Sequence, residues 1–295
     1  MSTVSITPGT QPGTIHSHLL PGPAVVNGRL AHLFAACGLT WPQLAARSGL
    51  TLDQLAPFRD GTARPSRKQL ATALAAMGAE AELKTLQALA RMDAHTVTDR
   101  MPGWAARLAS VLNGAPGWRA GGGSVIPLGL HTTDYYALWI STVLPTVPDA
   151  ERVALAALAT TVPTSAGRRT AYLDQAILHQ PTGGPSTAAA QLSHLVELAR
   201  SKQVDLRLVE GPHTGTPLIE ITTTARSLLV VDIAADGVRY RTGAAAADAG
   251  LALDTLAHRA ASAQTSISQV RIAAQWMHVR TTPRRVRSQR PGGTR

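Results

Sequence analysis

The sequence is poor in cysteine, in aromatic residues and in long apolar runs. Its single cysteine, Cys37, excludes an intramolecular disulfide framework and any zinc site built on a cysteine pair. Aromatic residues make up 4% of the chain, so packing must come mainly from close-set alanine- and leucine-rich helices with a smaller β component. No run approaches the ~18 apolar residues of a membrane span, and the N-terminus lacks a charged-then-apolar signal pattern. These absences predict a soluble cytoplasmic protein that does not contact a membrane.

Charge is distributed unevenly along the 295 residues. Residues 1–27 carry no Lys, Arg, Asp or Glu, whereas residues 28–78 have a net charge of +4 and the tail 280–295 has +6. The whole excess of +10 therefore lies in one N-terminal segment and one C-terminal tail. Such segments attract polyanions, which makes nucleic acid the leading partner class. The alternative for the tail is an arginine-rich end that serves solubility alone.

The first ordered segment is predicted to be a helix that follows a flexible leader. Residues 1–27 are rich in Pro, Gly, Ser and Thr and show no apolar period, which is typical of a disordered leader. Apolar residues then recur at helical spacing from Leu30 to Cys37, and Gly38 can end this helix. Cys37 is therefore interpreted as a core residue.

An internal repeat follows, in which Leu39-Thr-Trp-Pro-Gln-Leu-Ala45 is matched eleven residues later by Leu50-Thr-Leu-Asp-Gln-Leu-Ala56. Each copy has a threonine that can cap a helix, Thr40 or Thr51, and a glutamine three residues later that can reach back to it. Ser48-Gly49 lets the first helix end in a left-handed residue. A third helix is predicted to start at Ser66.

Helix, short helix, glycine turn, short helix, loop and helix are the layout of a helix-turn-helix DNA-binding domain. The segments Gln43-Leu-Ala-Ala-Arg-Ser-Gly-Leu-Thr51 and Gly61-Thr-Ala-Arg-Pro-Ser66 resemble the Cro/repressor-type (XRE) family. Ile126-Pro-Leu-Gly-Leu-His-Thr-Thr-Asp-Tyr135, Tyr172-Leu-Asp-Gln-Ala-Ile-Leu178 and Gln191-Leu-Ser-His-Leu195 are similar to segments of the large antitoxin-like domain that follows an XRE head in actinobacterial regulators. The resemblance implies a transcriptional regulator, often paired with a short companion protein.

The rest of the chain alternates between predicted strands and helices. A helical connector and a Gly-rich joint, 79–123, are interpreted as the boundary between two domains. Strands are predicted at 169–173, 204–208, 218–221, 228–231 and 238–241, and helices at 187–201, 244–261 and 264–278. The predicted class is α+β: an all-α helix-turn-helix domain, 28–78, precedes a mixed domain, 124–279, with a small, mostly antiparallel sheet and C-terminal helices. A basic disordered tail, 280–295, ends the chain.

The second helix of a helix-turn-helix pair lies in the major groove, and here it corresponds to residues 51–60. Leu55 and Phe58 should face the core, which leaves Gln54 to pair with adenine and Arg59 with guanine. The basic side chains nearby should bind DNA phosphates, while the threonine hydroxyls either contact phosphate or serve as helix caps alone. The predicted DNA-binding set is Thr40, Arg47, Thr51, Leu52, Gln54, Arg59, Arg64, Arg67 and Lys68.

Pro57 argues against groove reading. It has no N–H for the carbonyl of Asp53, a defect that costs about 3 kcal/mol in a regular helix, so the helix should be short or kinked. Arg59 also stands where the resembled family usually has an acidic residue, and Asp60 places negative charge beside the groove. The alternative function is therefore a protein-interaction factor with a degenerate helix-turn-helix head that no longer reads DNA.

No catalytic signature is present. The sequence has no HExxH, G-x-S-x-G or P-loop motif, and it predicts no enzyme, cofactor or metal. His194 and Glu197 lie one helical turn apart, where a surface pair is favoured over half a metal site. Trp276 in the last helix is predicted to be a core residue, with a protein contact as the alternative. The predicted partners are double-stranded DNA, a second copy of the chain in a homodimer, and a short companion protein.

Overall fold

A computed structural model describes residues 19–160, 167–211, 217–223, 228–234 and 236–281 of the chain. Within them the α-helices are α1 Pro21–Cys37, α2 Trp41–Ser48, α3 Leu52–Arg59, α4 Arg67–Met77, α5 Leu83–Ala90, α6 Trp104–Gly114, α7 Thr133–Val143, α8 Asp149–Thr160, α9 Pro185–Arg200, α10 Gly243–Arg259 and α11 Ala263–Thr281. The strands are β1 Thr96–Asp99, β2 Gly117–Gly121, β3 Arg169–Asp174, β4 Asp205–Val209, β5 Leu218–Thr222, β6 Leu228–Ala234 and β7 Gly237–Arg241. The α+β class is therefore confirmed.

The strands form one mixed sheet in the order β1-β7-β6-β5-β2-β3-β4. Strands β2, β3 and β4 pair in parallel, and the other neighbours pair antiparallel. The five predicted strands and three predicted C-terminal-half helices are present, as is the hairpin that turns at Asp236-Gly237. The sheet has seven strands, however, so the prediction of a small sheet was wrong.

The two unpredicted strands, β1 and β2, come from the segment interpreted as a connector and flexible joint. In β2 the glycines allow close approach of neighbouring groups. A Cβ atom at Gly117 would lie 2.6 Å from the carbonyl oxygen of Arg168, and one at Gly121 would lie 2.9 Å from the Tyr172 Cβ. Glycine in a strand often marks such an approach of another backbone. The proposed domain boundary therefore runs through an internal strand of the sheet.

Helix α1 begins at Pro21, inside the segment predicted to be a leader. Proline is well suited to the first turn of a helix, where its missing N–H would have no intrahelical acceptor. Val25 and Val26 are fully buried, and a Cβ atom at Gly22 would lie 2.2 Å from the Leu89 carbonyl oxygen. Tight packing against α5 thus orders residues that the composition assigns to a disordered leader. The remainder of that predicted leader, residues 1–18, lies outside the described residues.

The helices α1–α5, here called the head, share a hydrophobic core cluster with most of the sheet and with α6–α9 and α11, whose members range from Val25 to Met277. A smaller, separate cluster of Val209, Leu253 and Leu256 joins α10 to β4.

Arg29 of α1 bridges the head and α6, because its guanidinium binds Glu82 of the head at 2.9 Å and donates to the buried Ser110 hydroxyl of α6 at 3.0 Å. The head is therefore packed directly on the rest of the described chain, here called the sheet domain, which consists of the seven strands and the helices α6–α11. No helix in the described part of the chain is long and apolar enough to cross a membrane.

Candidate nucleic-acid interface

The starts of α2, α3 and α4 are fixed by the three caps that the sequence predicts. The Thr40 N–H donates to Gln43 Oε1 at 2.8 Å, and the Thr51 N–H donates to Gln54 Oε1 at 2.9 Å. Each cap hydroxyl in turn accepts from the glutamine backbone N–H, and Ser66 and Gln69 repeat the arrangement. Reciprocal bonding of this kind satisfies N–H groups that the helix itself leaves free. The predicted capping boxes are confirmed.

Helices α2 and α3 are joined by a tight turn at Gly49. This glycine has φ 70°, and its N–H donates to the Ala45 carbonyl at 2.9 Å, which closes α2. A left-handed residue at this position is the usual way for a helix to end before a sharp change of direction. Leu44 and Leu50 on either side of the turn are buried and hold the pair of helices on the core.

Helix α3 presents the side chains that the sequence assigns to each face. Leu55 and Phe58 are buried, as predicted, while Leu52 is 51% exposed and Gln54 is exposed. The Gln54 oxygen already accepts the capping bond, so its NH₂ group is what remains to donate to a base edge. Pairing with adenine through two bonds also needs this oxygen. The cap geometry therefore favours a single donated bond from Gln54.

Arg59 lies at the opposite end of α3 from Gln54. Its guanidinium binds Asp60, with Nε 2.8 Å from Oδ1, and this hydrogen bond raises the pKa of Arg59 and lowers that of Asp60. Base edges are contacted mainly by the N-terminal residues of a recognition helix. The location and the existing ion pair make Arg59 a weaker candidate for base contact than the sequence indicates.

Pro57 lies inside α3, and the helix nevertheless continues to Arg59. The last turn is closed by two bonds that do not need the missing N–H. The Asp60 N–H donates to Ala56 O at 2.9 Å, and the Thr62 N–H donates to the Pro57 carbonyl at 2.9 Å. The helix has eight residues, in agreement with the prediction of a short helix.

Four exposed cations lie on α2, on α4 and in the loop after α3. Arg47, Arg67 and Lys68 form no ion pair with any described residue, and Arg64 has a single carboxylate, that of Asp93, at 3.9 Å. Exposed pairs at such a distance contribute little, so all four cations remain available to a polyanion. Thr40 and Thr51 are also exposed, although their side chains are engaged in the caps.

A hollow of about 300 Å³ between α4 and α5 adds Arg91 to the candidate interface, a residue that the sequence did not indicate. Its walls include Arg64, Arg67 and Arg91, and also Gln87, whose Nε2 is buried without a partner among the described residues. The Ser66 end of α4 opens here, where a helix N-terminus favours anions. Arg91 follows α5 in the predicted connector, and nothing in its local sequence distinguishes it from a solvated arginine.

Asp174, His194 and Trp276 lie in β3, α9 and α11, which do not contribute to this interface. Asp174 caps a short turn through a 2.8 Å bond from the Ala176 N–H. Burial lowers the pKa of His194, and no group of three or more metal-binding side chains exists among the residues described. Trp276 is 47% exposed, so its assignment to the core was wrong. Its ring packs against Arg280, whose Cζ is 4.5 Å from the ring centroid.

A family model matches residues 106–271, and its description is a domain of unknown function (DUF5753). The matched range begins in α6 and ends in α11, so it contains strands β2–β7 and leaves out the head and β1. No curated protein and no solved structure matches the chain. The match therefore covers most of the sheet domain, and the candidate nucleic-acid interface lies before the matched range in the chain.

Proposed function

We propose that this chain, which belongs to the DUF5753 family, is a helix-turn-helix DNA-binding transcriptional regulator. The observation that carries the proposal is the capped helix pair α2–α3, joined at Gly49 and accompanied by exposed cations on α2, on α4 and in the loop between α3 and α4. The fold of the DUF5753 domain does not itself indicate a function, and the features that support DNA binding lie in the head. The family domain would transmit a signal from a partner or ligand.

In the proposed complex, the N-terminus of α3 enters the major groove of double-stranded DNA. The Gln54 NH₂ group donates to a purine acceptor, and the exposed Leu52 side chain contacts a thymine methyl group. Both residues occupy the first turn of α3, so they face the same few base pairs. Arg59, paired with Asp60 at the far end, contributes at the edge of this contact.

Phosphate contacts would set the register of the head on the duplex. Arg47 lies in the last turn of α2, while Arg67 and Lys68 open α4, so the cations lie on the helices before and after α3. Arg64 and Arg91 face the hollow beside the α4 N-terminus, where a phosphate would meet both cations and helix-end N–H groups. An eight-residue reading helix covers few bases, which is why we also propose a homodimer on two half-sites. A short companion protein is a further proposed partner.

The test is binding of the full-length protein to its own upstream DNA over a series of salt concentrations. The logarithm of the association constant should fall linearly with the logarithm of the salt concentration, with a slope of roughly −0.9 for each phosphate neutralised. Arg47→Ala combined with Arg67→Ala should make this slope shallower by about 2. Arg200→Ala combined with Arg271→Ala removes the same charge from exposed positions on α9 and α11 and should leave the slope unchanged.

The second candidate function is a protein-interaction factor with a degenerate head. It is favoured by Pro57 inside α3 and by the Arg59–Asp60 pair, which keeps one arginine from the groove. A folded protein that binds no DNA at low salt, yet forms a stable protein complex, would support this candidate. Equal slopes for the two double variants would also contradict the DNA-binding proposal.

A further inference from the structure

Helix α11 carries an apolar stripe on its exposed side. Ile272 is 60% exposed, Trp276 47% and Val279 73%, and their spacing of four and three residues places them on one face of the helix. The opposite face, with Val270 and Met277 fully buried, belongs to the large core cluster. The core therefore explains the apolar residues on one side of α11, while the stripe on the other side is open to solvent in the described part of the chain.

A second hollow, of about 440 Å³, lies beside this stripe. It is formed between α11 and the short turn Gln175–Leu178. Leu178 and Ala273 are buried, and Ile272 and Trp276 are the exposed apolar residues next to them. The volume is within the ~300–1,000 Å³ of ordinary ligand pockets, so the hollow can accept large apolar side chains from a docking segment.

Trp276 is held in position by a neighbour on its own helix. The Arg280 Cζ atom lies 4.5 Å from the centroid of the ring, which is a cation–π contact. A side chain that is already oriented loses less conformational entropy when a partner binds. Tryptophan and arginine are also enriched among the few residues that dominate the binding energy of protein interfaces. The pair is therefore suited to contact a partner.

The surroundings of the stripe are basic. At about 100° per residue, Arg271 and Arg280 lie on opposite sides of it, and both are exposed. Helix α11 contains no Asp or Glu, and none of the described residues around the hollow is acidic. The sequence after the helix, 282–295, adds five arginines and no acid. Charge complementarity therefore favours an acidic occupant.

A second copy of the chain does not fit this distribution of charge. In a two-fold contact the same patch of each subunit meets its own copy. The arginines beside the stripe would then face the arginines of the other copy, and like charges across an interface are unfavourable. The occupant that fits both the stripe and its flanks is a segment of another protein, with apolar residues on one face and carboxylates beside them.

The geometry points to a docking site on α11 for an acidic amphipathic helix of a partner protein. Apolar side chains of that helix would cover Ile272, Trp276 and Val279 and enter the hollow, while its Asp and Glu side chains would lie beside Arg271 and Arg280. Helices that dock in grooves are recognised through apolar residues at i, i+3 or i+4, and i+7, which is the spacing of the stripe. The inference concerns the sheet domain and does not rest on DNA binding by the head.

The test is selection of phage-displayed helical peptides on the full-length protein. The peptides carry Leu at positions i, i+4 and i+7, and their flanking positions vary among Glu, Gln and Lys. Selection should enrich Glu. The most enriched peptide, measured by fluorescence anisotropy, should bind Trp276→Ala at least about tenfold more weakly than the wild-type protein. Leu251→Ala is the matched control and should bind as the wild type does, because Leu251 is 62% exposed on α10, outside the described walls of the hollow.

Enrichment of Lys, or no preference among the three residues, would overturn the proposal. So would a selection that yields no peptide whose binding depends on Trp276, because the peptides would then bind through charge alone. A wild-type dimer that dissociates in Trp276→Ala, measured by sedimentation, would assign the stripe to a second copy. Binding to vesicles that contain phosphatidylserine, lost in the same variant, would assign it to a membrane. Either assignment overturns the proposal, and none of these results depends on DNA.

Discussion

At the scale of single residues, His131 shows how burial determines the protonation state of a side chain in the DUF5753 domain. The side chain is 1% exposed, and its Nε2 lies 2.7 Å from the Ile126 carbonyl oxygen. Tyr135 packs edge-on against the imidazole, with ring centroids 5.0 Å apart. Burial, together with the nearby His194, lowers the pKa of His131 to about 4. The folded protein therefore holds this imidazole neutral at pH values where the unfolded chain binds a proton.

We expect the free energy of unfolding to fall between pH 6.5 and 4 because of His131. The unfolded state takes up a proton as the pH falls through about 6.5, the folded state does so only near 4, and linkage then favours unfolding in this window. The contribution is about 2 kcal/mol between pH 7.5 and 5. His131→Gln keeps an N–H donor for Ile126 and cannot titrate. Urea unfolding at the two pH values should show that this variant loses the His131 part of the dependence.

His32 and His194, whose pKa values are also lowered by burial, are present in the wild-type protein and in His131→Gln. They provide the internal control, because they contribute the same pH dependence to both proteins. A wild-type protein and a variant with the same change in stability between the two pH values would show that His131 titrates normally in the folded state.

At the scale of elements, local rules predicted most of the structure around the candidate interface. The caps at Thr40, Thr51 and Ser66 depend on residues within three positions, so the sequence contains all the information needed. Strand β2 was missed because its glycines are explained by distant atoms, such as the Arg168 carbonyl. Contacts of this kind are not visible in a local pattern. A helix start that is fixed by a side-chain cap can therefore be predicted from the sequence. A strand such as β2, whose glycines are required by contacts with distant residues, cannot.

Pro57→Ala tests how much the proline reduces the stability of α3. Alanine restores the N–H that can donate to the Asp53 carbonyl, and it removes the crowding by the ring. We expect the free energy of unfolding to rise by about 1–3 kcal/mol, with a small gain in helix signal by circular dichroism.

Pro42→Ala is the matched control for this change. Pro42 occupies the first turn of α2, where a proline needs no intrahelical acceptor, so its replacement should give little or no gain. A loss of stability in Pro57→Ala would contradict the account, because it would mean that the proline ring contributes more by packing than it removes from the helix.

At the scale of the whole molecule, the head and the sheet domain form one packed unit within the described residues. Both parts contribute side chains to one core cluster, from Val25 in α1 to Met277 in α11. Helices α1 and α6 pack against each other at Gly28 and Val111, a contact that no local pattern in either segment shows. Composition assigned the start of α1 to a disordered leader, although Val25 and Val26 are fully buried.

The most direct test of the central claim measures how well the protein distinguishes its own upstream DNA from a shuffled duplex at fixed salt. Gln54→Glu keeps a side-chain oxygen for the cap of α3 and removes the NH₂ donor. Gln43→Glu makes the same change, with the same charge, in the cap of α2. We expect a wild-type preference of at least about 10³-fold, which Gln54→Glu lowers by about tenfold or more and Gln43→Glu leaves intact. Equal affinity of the wild-type protein for both duplexes, or equal loss in the two variants, would contradict reading of DNA by α3.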